Sequence, residues 1–210
     1  MGKIIAFSNQ KGGSGKSTLS SNVAVLWSNS GYKVAVIDAD PQKSLTYWLS
    51  ERKKYYGADD IGIDFYNFNI RNLPEEIKKI KRKYDFIIID SPPAITFDTI
   101  QILKASNGVF VPVQPSPLDL MATLPFLQIA KDERKKPLII LNRVMPRAKL
   151  TEAMILRLRY SGAKIARSRI SSKVIFAETF AVGRGVIDIN VTSDAAKEII
   201  NVGNEILRNL

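Results

Sequence analysis

The chain has 210 residues, a formal net charge of +11, and neither histidine nor cysteine. That composition excludes disulfide frameworks, thiolate zinc sites, iron–sulfur clusters, cysteine nucleophiles and Ser-His-Asp hydrolases, and leaves a hard, oxygen-bound ion such as magnesium as the expected metal. The length suits one domain over residues 1–210, the 45% apolar content argues for a globular fold, and no segment approaches the roughly 18–20 continuous apolar residues of a membrane span.

The first apolar run, Ile4, Ile5, Ala6 and Phe7, is too short for a signal peptide and meets Ser8, Asn9, Gln10 and Lys11. A cytoplasmic location is therefore expected. The run predicts a strand over residues 3–8. Further strands are predicted over 33–38, 63–68, 85–90, 108–113 and 137–142. Several are continuously apolar, such as Phe86, Ile87, Ile88 and Ile89, as strands covered on both faces are in a parallel sheet. Helical patterns lie between them, over 17–30, 43–55, 74–83, 96–105 and 118–131. Gly31 is a natural stop for the first. After Asn142 the pattern turns mostly helical, over 150–160, 173–181 and 193–210. The alternation predicts an α/β fold, a doubly wound and mostly parallel sheet flanked by helices, with ligands at the C-terminal ends of the strands.

The strongest local signal is Lys11-Gly12-Gly13-Ser14-Gly15-Lys16-Ser17-Thr18, which leaves a predicted strand and opens a predicted helix. Glycines let successive backbone N–H groups turn toward an anion, and the helix N-terminus adds partial positive charge. In such a loop Lys16 reaches the β- and γ-phosphates and the Ser17 hydroxyl ligates magnesium. The general phosphate-loop pattern wants glycine at position 10, where this chain has Gln10 with a second lysine, Lys11, beside it. A lysine on the outer edge of the loop is either a solvated surface residue or one that reaches a nucleotide held by a second subunit.

Downstream, Asp38-Ala39-Asp40-Pro41-Gln42 follows the second predicted strand, and Asp90-Ser91-Pro92-Pro93 ends the fourth. Asp40 precedes a proline, which holds it extended. A carboxylate there orients or deprotonates a water, or holds magnesium through one; the plainer alternative for both Asp38 and Asp40 is helix N-capping. Val111-Pro112-Val113-Gln114-Pro115-Ser116-Pro117-Leu118-Asp119 follows the fifth strand. Asn142 ends the sixth, where the base is expected in this fold; the alternative is a turn residue.

Together these segments resemble the ParA/MinD family of deviant Walker A P-loop ATPases, and within it the small ParA-type partition proteins that lack an added DNA-binding domain. The resemblance implies an ATP-magnesium enzyme. The loop Lys11, Gly12, Gly13, Ser14, Gly15, Lys16, Ser17 and Thr18 would bind the nucleotide, with Asn142 at the adenine. Lys11 would cross to the ATP of a partner subunit in an ATP-bound homodimer. Asp40 would act on the water. Asp90 would be the Walker B aspartate that serves magnesium with Ser17, and Asp38 a supporting magnesium-shell or structural residue. Hydrolysis would be slow and tied to dimerisation, and release would be stimulated by a ParB-like centromere-binding protein.

Most of the positive charge is concentrated in one stretch. From Lys131 to Lys173 there are 13 Lys/Arg against 3 Asp/Glu, a net +10. Arg157, Arg159, Lys164, Arg167, Arg169 and Lys173 crowd its second half. Without base-reading motifs, such a patch points to sequence-independent contacts with DNA phosphates, the alternative being a solvated face. Two patches on one ATP dimer gain avidity, so ATP would switch DNA binding on and place the protein on the nucleoid. A MinD-like membrane-surface ATPase is the second reading. It needs an amphipathic basic C-terminal helix, yet residues 194–210 carry Glu198 and Glu205 beside Lys197 and Arg208 and contain no aromatic, so no membrane partner is expected. A biosynthetic P-loop ligase, a nitrogenase iron-protein relative without its cluster and a non-enzymatic nucleotide-binding scaffold fit less well.

Overall fold

The computed structural model describes residues 2–57, 61–145, 149–160 and 162–210. Seven strands form one sheet: β1 (Lys3–Phe7), β2 (Val34–Asp38), β3 (Ile63–Tyr66), β4 (Phe86–Asp90), β5 (Gly108–Val113), β6 (Leu138–Val144) and β7 (Lys164–Ser171). Their order is β3-β2-β4-β1-β5-β6-β7, and every neighbouring pair is parallel. This is the doubly wound arrangement expected from the alternating pattern.

The helices are α1 (Lys16–Asn29), α2 (Ser44–Tyr56), α3 (Leu73–Ile80), α4 (Phe97–Ala105), α5 (Pro117–Asp132), α6 (Lys149–Tyr160), α7 (Ile175–Ala181), α8 (Val186–Ile189) and α9 (Asp194–Leu207). Alternate strand residues feed two cores. Ile5, Phe7, Val36 and Ile88 pack with Leu19 and Val23 of α1, Trp48 of α2 and Ile199 of α9. On the opposite face, Ile4, Ala6, Ile37 and Ile87 pack with Ile77 of α3 and Ile102 of α4. Val111 and Ile139 pack there with Phe126 of α5 and Leu158 of α6. Burial on both faces is why these strands are apolar at nearly every position.

Beyond Asn142 the chain is less helical than its pattern predicts. Residues 164–171 form the edge strand β7, and Val186–Ile189 adds a short helix. The strand signal is weak because only Ala166 and Ile170 are buried, while Lys164, Arg167 and Arg169 are exposed. Charges on an edge strand discourage pairing with another chain. The edge is also tied to α9. Glu205 accepts hydrogen bonds from the backbone N–H groups of Arg167 and Ser168, each at 2.8 Å. Glu198 accepts from Ser171 N at 3.0 Å and from the ammonium of Lys173.

Candidate functional site

β1 lies between β4 and β5, so the loop that leaves its C-terminal end enters the crevice where the strand order reverses. Gly13 (φ 73°) and Gly15 (φ 99°) take left-handed conformations that bring the loop round to the start of α1. Gly15 is also sterically confined: a Cβ there would stand 2.0 Å from Nδ2 of Asn142. Lys16 is buried, and its ammonium donates to the carbonyl of Lys11 at 3.2 Å. Burial lowers its pKa, against the opposing pull of Asp90 and Asp40. A buried ammonium at a helix N-terminus beside a cavity suits an anion.

The loop borders a cavity of about 280 Å³, whose remaining walls are Asp40, Gln42, Ser44, Pro93, Arg143 and Phe180. Ser44, Arg143 and Phe180 carried no sequence expectation, and Pro93 only its place in the segment after Asp90. Arg143 has a weak signal in its place next to Asn142; Phe180, on α7, has none.

Asp38 and Asp90 are register partners on the adjacent strands β2 and β4. Asp90 is fully buried; Ser20 Oγ donates to its Oδ1 at 3.5 Å, and its Oδ2 has no hydrogen-bond partner among the described residues. Desolvation raises its pKa to about 7, with the charges of Asp38 and Asp40 adding and the Ser17 hydroxyl and Lys16 opposing. An orphaned carboxylate oxygen beside a serine hydroxyl fits a hard cation that completes its shell with phosphate and water oxygens. Among the described residues, no group of three or more His, Cys, Asp or Glu is placed to hold a metal unaided.

The oxygens of Asp38 are otherwise engaged. Oδ1 accepts from Asp40 N at 3.1 Å, and Oδ2 accepts from Thr46 N and Thr46 Oγ1 at 2.8 and 2.7 Å. Asp38 thus holds the turn that enters α2, close to the capping alternative raised from the sequence. Asp40 lines the cavity; its Oδ1 accepts from Gln42 N at 2.9 Å, and its Oδ2 has no hydrogen bond among the described residues.

Lys11 does not line the cavity. Its ammonium lies 3.1 Å from Oδ2 of Asp119, in the first turn of α5. Asp119 is buried, and Ser116 Oγ donates to the same Oδ2 at 2.5 Å. The motif Ser116-Pro117-Leu118-Asp119 carries a capping signal, since Ser116 Oγ also accepts from Asp119 N. The pairing with Lys11, 108 residues away, has no sequence signal. Gln114 also grips the loop, donating from Nε2 to Gly13 O at 2.8 Å. Asn142 is buried, with Nδ2 donating to Ser14 O at 2.7 Å and Oδ1 accepting from Arg143 N at 2.9 Å. It therefore buttresses the loop through one of its two N–H groups.

The six basic candidates are not brought together as one free patch. Arg157 and Arg159 are exposed on α6, and Lys164, Arg167 and Arg169 are exposed on β7. Lys164 donates to Asn209 Oδ1 at 2.6 Å, Arg169 pairs with Glu152 at 3.2 Å, and Lys173 pairs with Glu198. Arg147 and the side chain of Lys149, which belong to the same basic run, lie outside the described residues.

Residues 5–186 match the family model of the CobQ/CobB/MinD/ParA nucleotide binding domain. The chain is 27% identical over 210 residues to maintenance of carboxysome distribution protein A of Halothiobacillus neapolitanus, covering 97% of this chain and 95% of that protein. It is 27% identical over 235 residues to the chromosome-partitioning ATPase Soj of Thermus thermophilus, covering 97% and 94%. Its fold matches the cell division ATPase MinD of Pyrococcus furiosus with a TM-score of 0.83 at 22% identity, covering 100% of both chains.

Proposed function

Because the chain belongs to the CobQ/CobB/MinD/ParA nucleotide-binding family and is thus a ParA/MinD-type ATPase, we propose that it is a DNA-segregation ATPase whose ATP-bound dimer binds DNA without sequence preference. The observation that carries this reading is the placement of its two loop lysines. Lys16 is buried at the phosphate cavity, whereas Lys11 projects away from that cavity onto Asp119. A lysine so placed serves no phosphate of its own subunit and would reach a second one once its pair with Asp119 opens.

In this reading the loop amides and Lys16 bind the phosphates, and Ser17 and Asp90 are the residues that would hold magnesium. Magnesium bound there neutralises phosphate charge. Asp40, with its free oxygen at the cavity, orients the attacking water and takes its proton. Lys11 supplies charge stabilisation in trans, a contribution of roughly 10³–10⁵ in rate for a cation delivered across an interface. Asp38 positions the turn that carries Asp40. Asn142 holds the loop through Ser14, and its second N–H group remains for the adenine.

DNA phosphates would meet the exposed basic side chains of α6 and β7, two patches per dimer, and a ParB-like partner would trigger hydrolysis and release. A protein-organelle cargo is the second reading of the same cycle. It is favoured by the near end-to-end similarity to a carboxysome distribution protein. A membrane role has less support. The apolar face of α9, including Ala196, Ile199, Val202 and Ile206, is buried against α1 and β7, and both of its inward acids bind β7. Among the described residues, no helix is long and apolar enough to cross a membrane.

The test is binding to a non-specific duplex with ATP-magnesium, ADP-magnesium or no nucleotide, with anionic liposomes in parallel. Salt-sensitive DNA binding strengthened by ATP is expected. ATP-dependent liposome binding without any ATP effect on DNA would overturn the reading in favour of a membrane ATPase.

A further inference from the structure

At the end of the sheet opposite the nucleotide cavity, two adjoining cavities of about 470 and 350 Å³ open beside the N-terminal residues of β5, β6 and β7. They share Lys135, Lys136 and Lys164. Arg134 and Arg208 line the first and Lys131 the second. No acidic side chain among the described residues lines either one.

The acids nearby are already committed. Glu205 accepts from the backbone of β7, Glu133 faces Lys104 at 3.9 Å, and Asp132 accepts from Gln128 at 2.9 Å. One of the six cations braces the fold, since Lys135 donates to the carbonyls of Lys104 and Ser106 at the end of α4. Lys164 is held by Asn209. The exposed side chains of Lys131, Lys136 and Arg208 make no hydrogen bond among the described residues. Arg208 also sits within electrostatic reach of Glu205, but with no acid among the lining residues these six cations form a concave surface that attracts anions.

We propose that this groove binds the phosphate backbone of nucleic acid, and that it does so independently of the nucleotide site. The two cavities form an extended trough rather than a point pocket. They contain neither an exposed aromatic face nor a glycine loop that would select a single small phosphate ligand. A row of phosphates matches a row of cations, whichever bases it carries. The groove lies at the far end of the strands from Lys16, so DNA contact through it does not depend on ATP. The inference names a nucleic-acid surface for the activity proposed above and rests on that reading.

The test is the triple variant Lys131→Gln, Lys136→Gln, Arg208→Gln, titrated with a short duplex of random sequence over a range of salt without nucleotide. The expected result is a loss of about tenfold or more in affinity, and a salt slope flatter by about three. ATP binding should be unchanged. The double variant Arg71→Gln, Lys78→Gln, which removes two exposed cations at and beside α3, away from both basic regions, should keep the nucleotide-free affinity. An unchanged slope in the triple variant overturns the proposal, as does a loss seen only on phosphatidylglycerol vesicles. If the triple variant flattens the slope but ATP never alters DNA binding, the groove stands and the ATP switch falls. If ATP strengthens DNA binding in both proteins and the nucleotide-free slope is the same, the switch stands and the groove falls.

Discussion

The ammonium of Lys11 is held 3.1 Å from the carboxylate of Asp119, a buried residue at the start of α5. For Lys11 to reach a second subunit this pair must open, leaving Asp119 with only Ser116 on Oδ2 and nothing on Oδ1. In the proposed dimer the pair would therefore act as a restraint. Asp119→Asn keeps the shape and the Ser116 contact but removes the charge. A partly exposed ion pair is worth up to about 1 kcal/mol, and each dimer must open two of them, so the ATP dimer should form at up to roughly thirtyfold lower protein concentration. Sedimentation with ATP-magnesium checks this; an unchanged dimerisation constant would show that the pair imposes no restraint.

The two lysines should separate chemistry from binding. Lys11→Ala should lose hydrolysis by about 10³-fold or more while the monomer still binds ATP. Lys16→Ala should lose ATP binding itself, because the buried ammonium faces the phosphate cavity. Calorimetric titration beside a phosphate-release assay distinguishes them. Normal turnover by Lys11→Ala would remove the role in trans.

Asn142 and Gly15 depend on each other. Asn142→Ala leaves Ser14 O and Arg143 N without partners inside the protein, which costs about 1–3 kcal/mol in stability and loosens the loop. ATP affinity should fall by about tenfold or more, with a lower melting temperature. Gly15→Ala should be worse, since a Cβ there collides with the Asn142 amide at a left-handed φ. If Asn142→Ala weakens ATP binding without lowering the melting temperature, the residue serves the base alone.

Asp90→Asn removes a fully buried charge whose Oδ2 has no partner among the described residues. The nucleotide-free variant should melt at the same or a higher temperature than the parent, since desolvation of this buried charge outweighs the help of Ser17 and Lys16. Its ATP affinity should no longer respond to magnesium or to a chelator. A variant that keeps the full magnesium response would exclude Asp90 as a metal-serving residue.

Glu205 joins α9 to the edge strand. Burial tends to raise its pKa, but the hydrogen bonds from Arg167 and Ser168 outweigh this and lower it. A carboxylate with a lowered folded pKa adds stability above its unfolded pKa and loses it as pH falls through the folded one. Glu205→Gln should therefore cost about 1 kcal/mol near neutral pH. The difference should shrink in acid, below the ordinary glutamate range. Paired thermal melts at neutral and acid pH test this; a constant gap would mean that charge plays no part.

Local order along the chain by itself determined the first six strands, the helices between them, and the phosphate loop. Each of these is written in neighbouring residues: both-face burial makes β4 apolar throughout, and glycines followed by Lys16 and Ser17 between a strand and a helix spell the phosphate-loop pattern. The sequence also marked Asp38, Asp40 and Asp90 as strand-end acids, because a strand's last residues lie at the ligand end of such a sheet. Their hydrogen-bond partners come from tertiary structure. Thr46 and the Asp40 backbone occupy Asp38, whereas Asp90 keeps an unpaired oxygen. Asp119 meets Lys11 across 108 residues and Asn142 meets Ser14 across 128, distances over which no periodic pattern carries information. β7 escaped the pattern because an edge strand buries only one face and needs few apolar residues. Its acidic supports lie a helix away on α9, and the basic trough at its N-terminal end forms only when β5, β6 and β7 stand side by side.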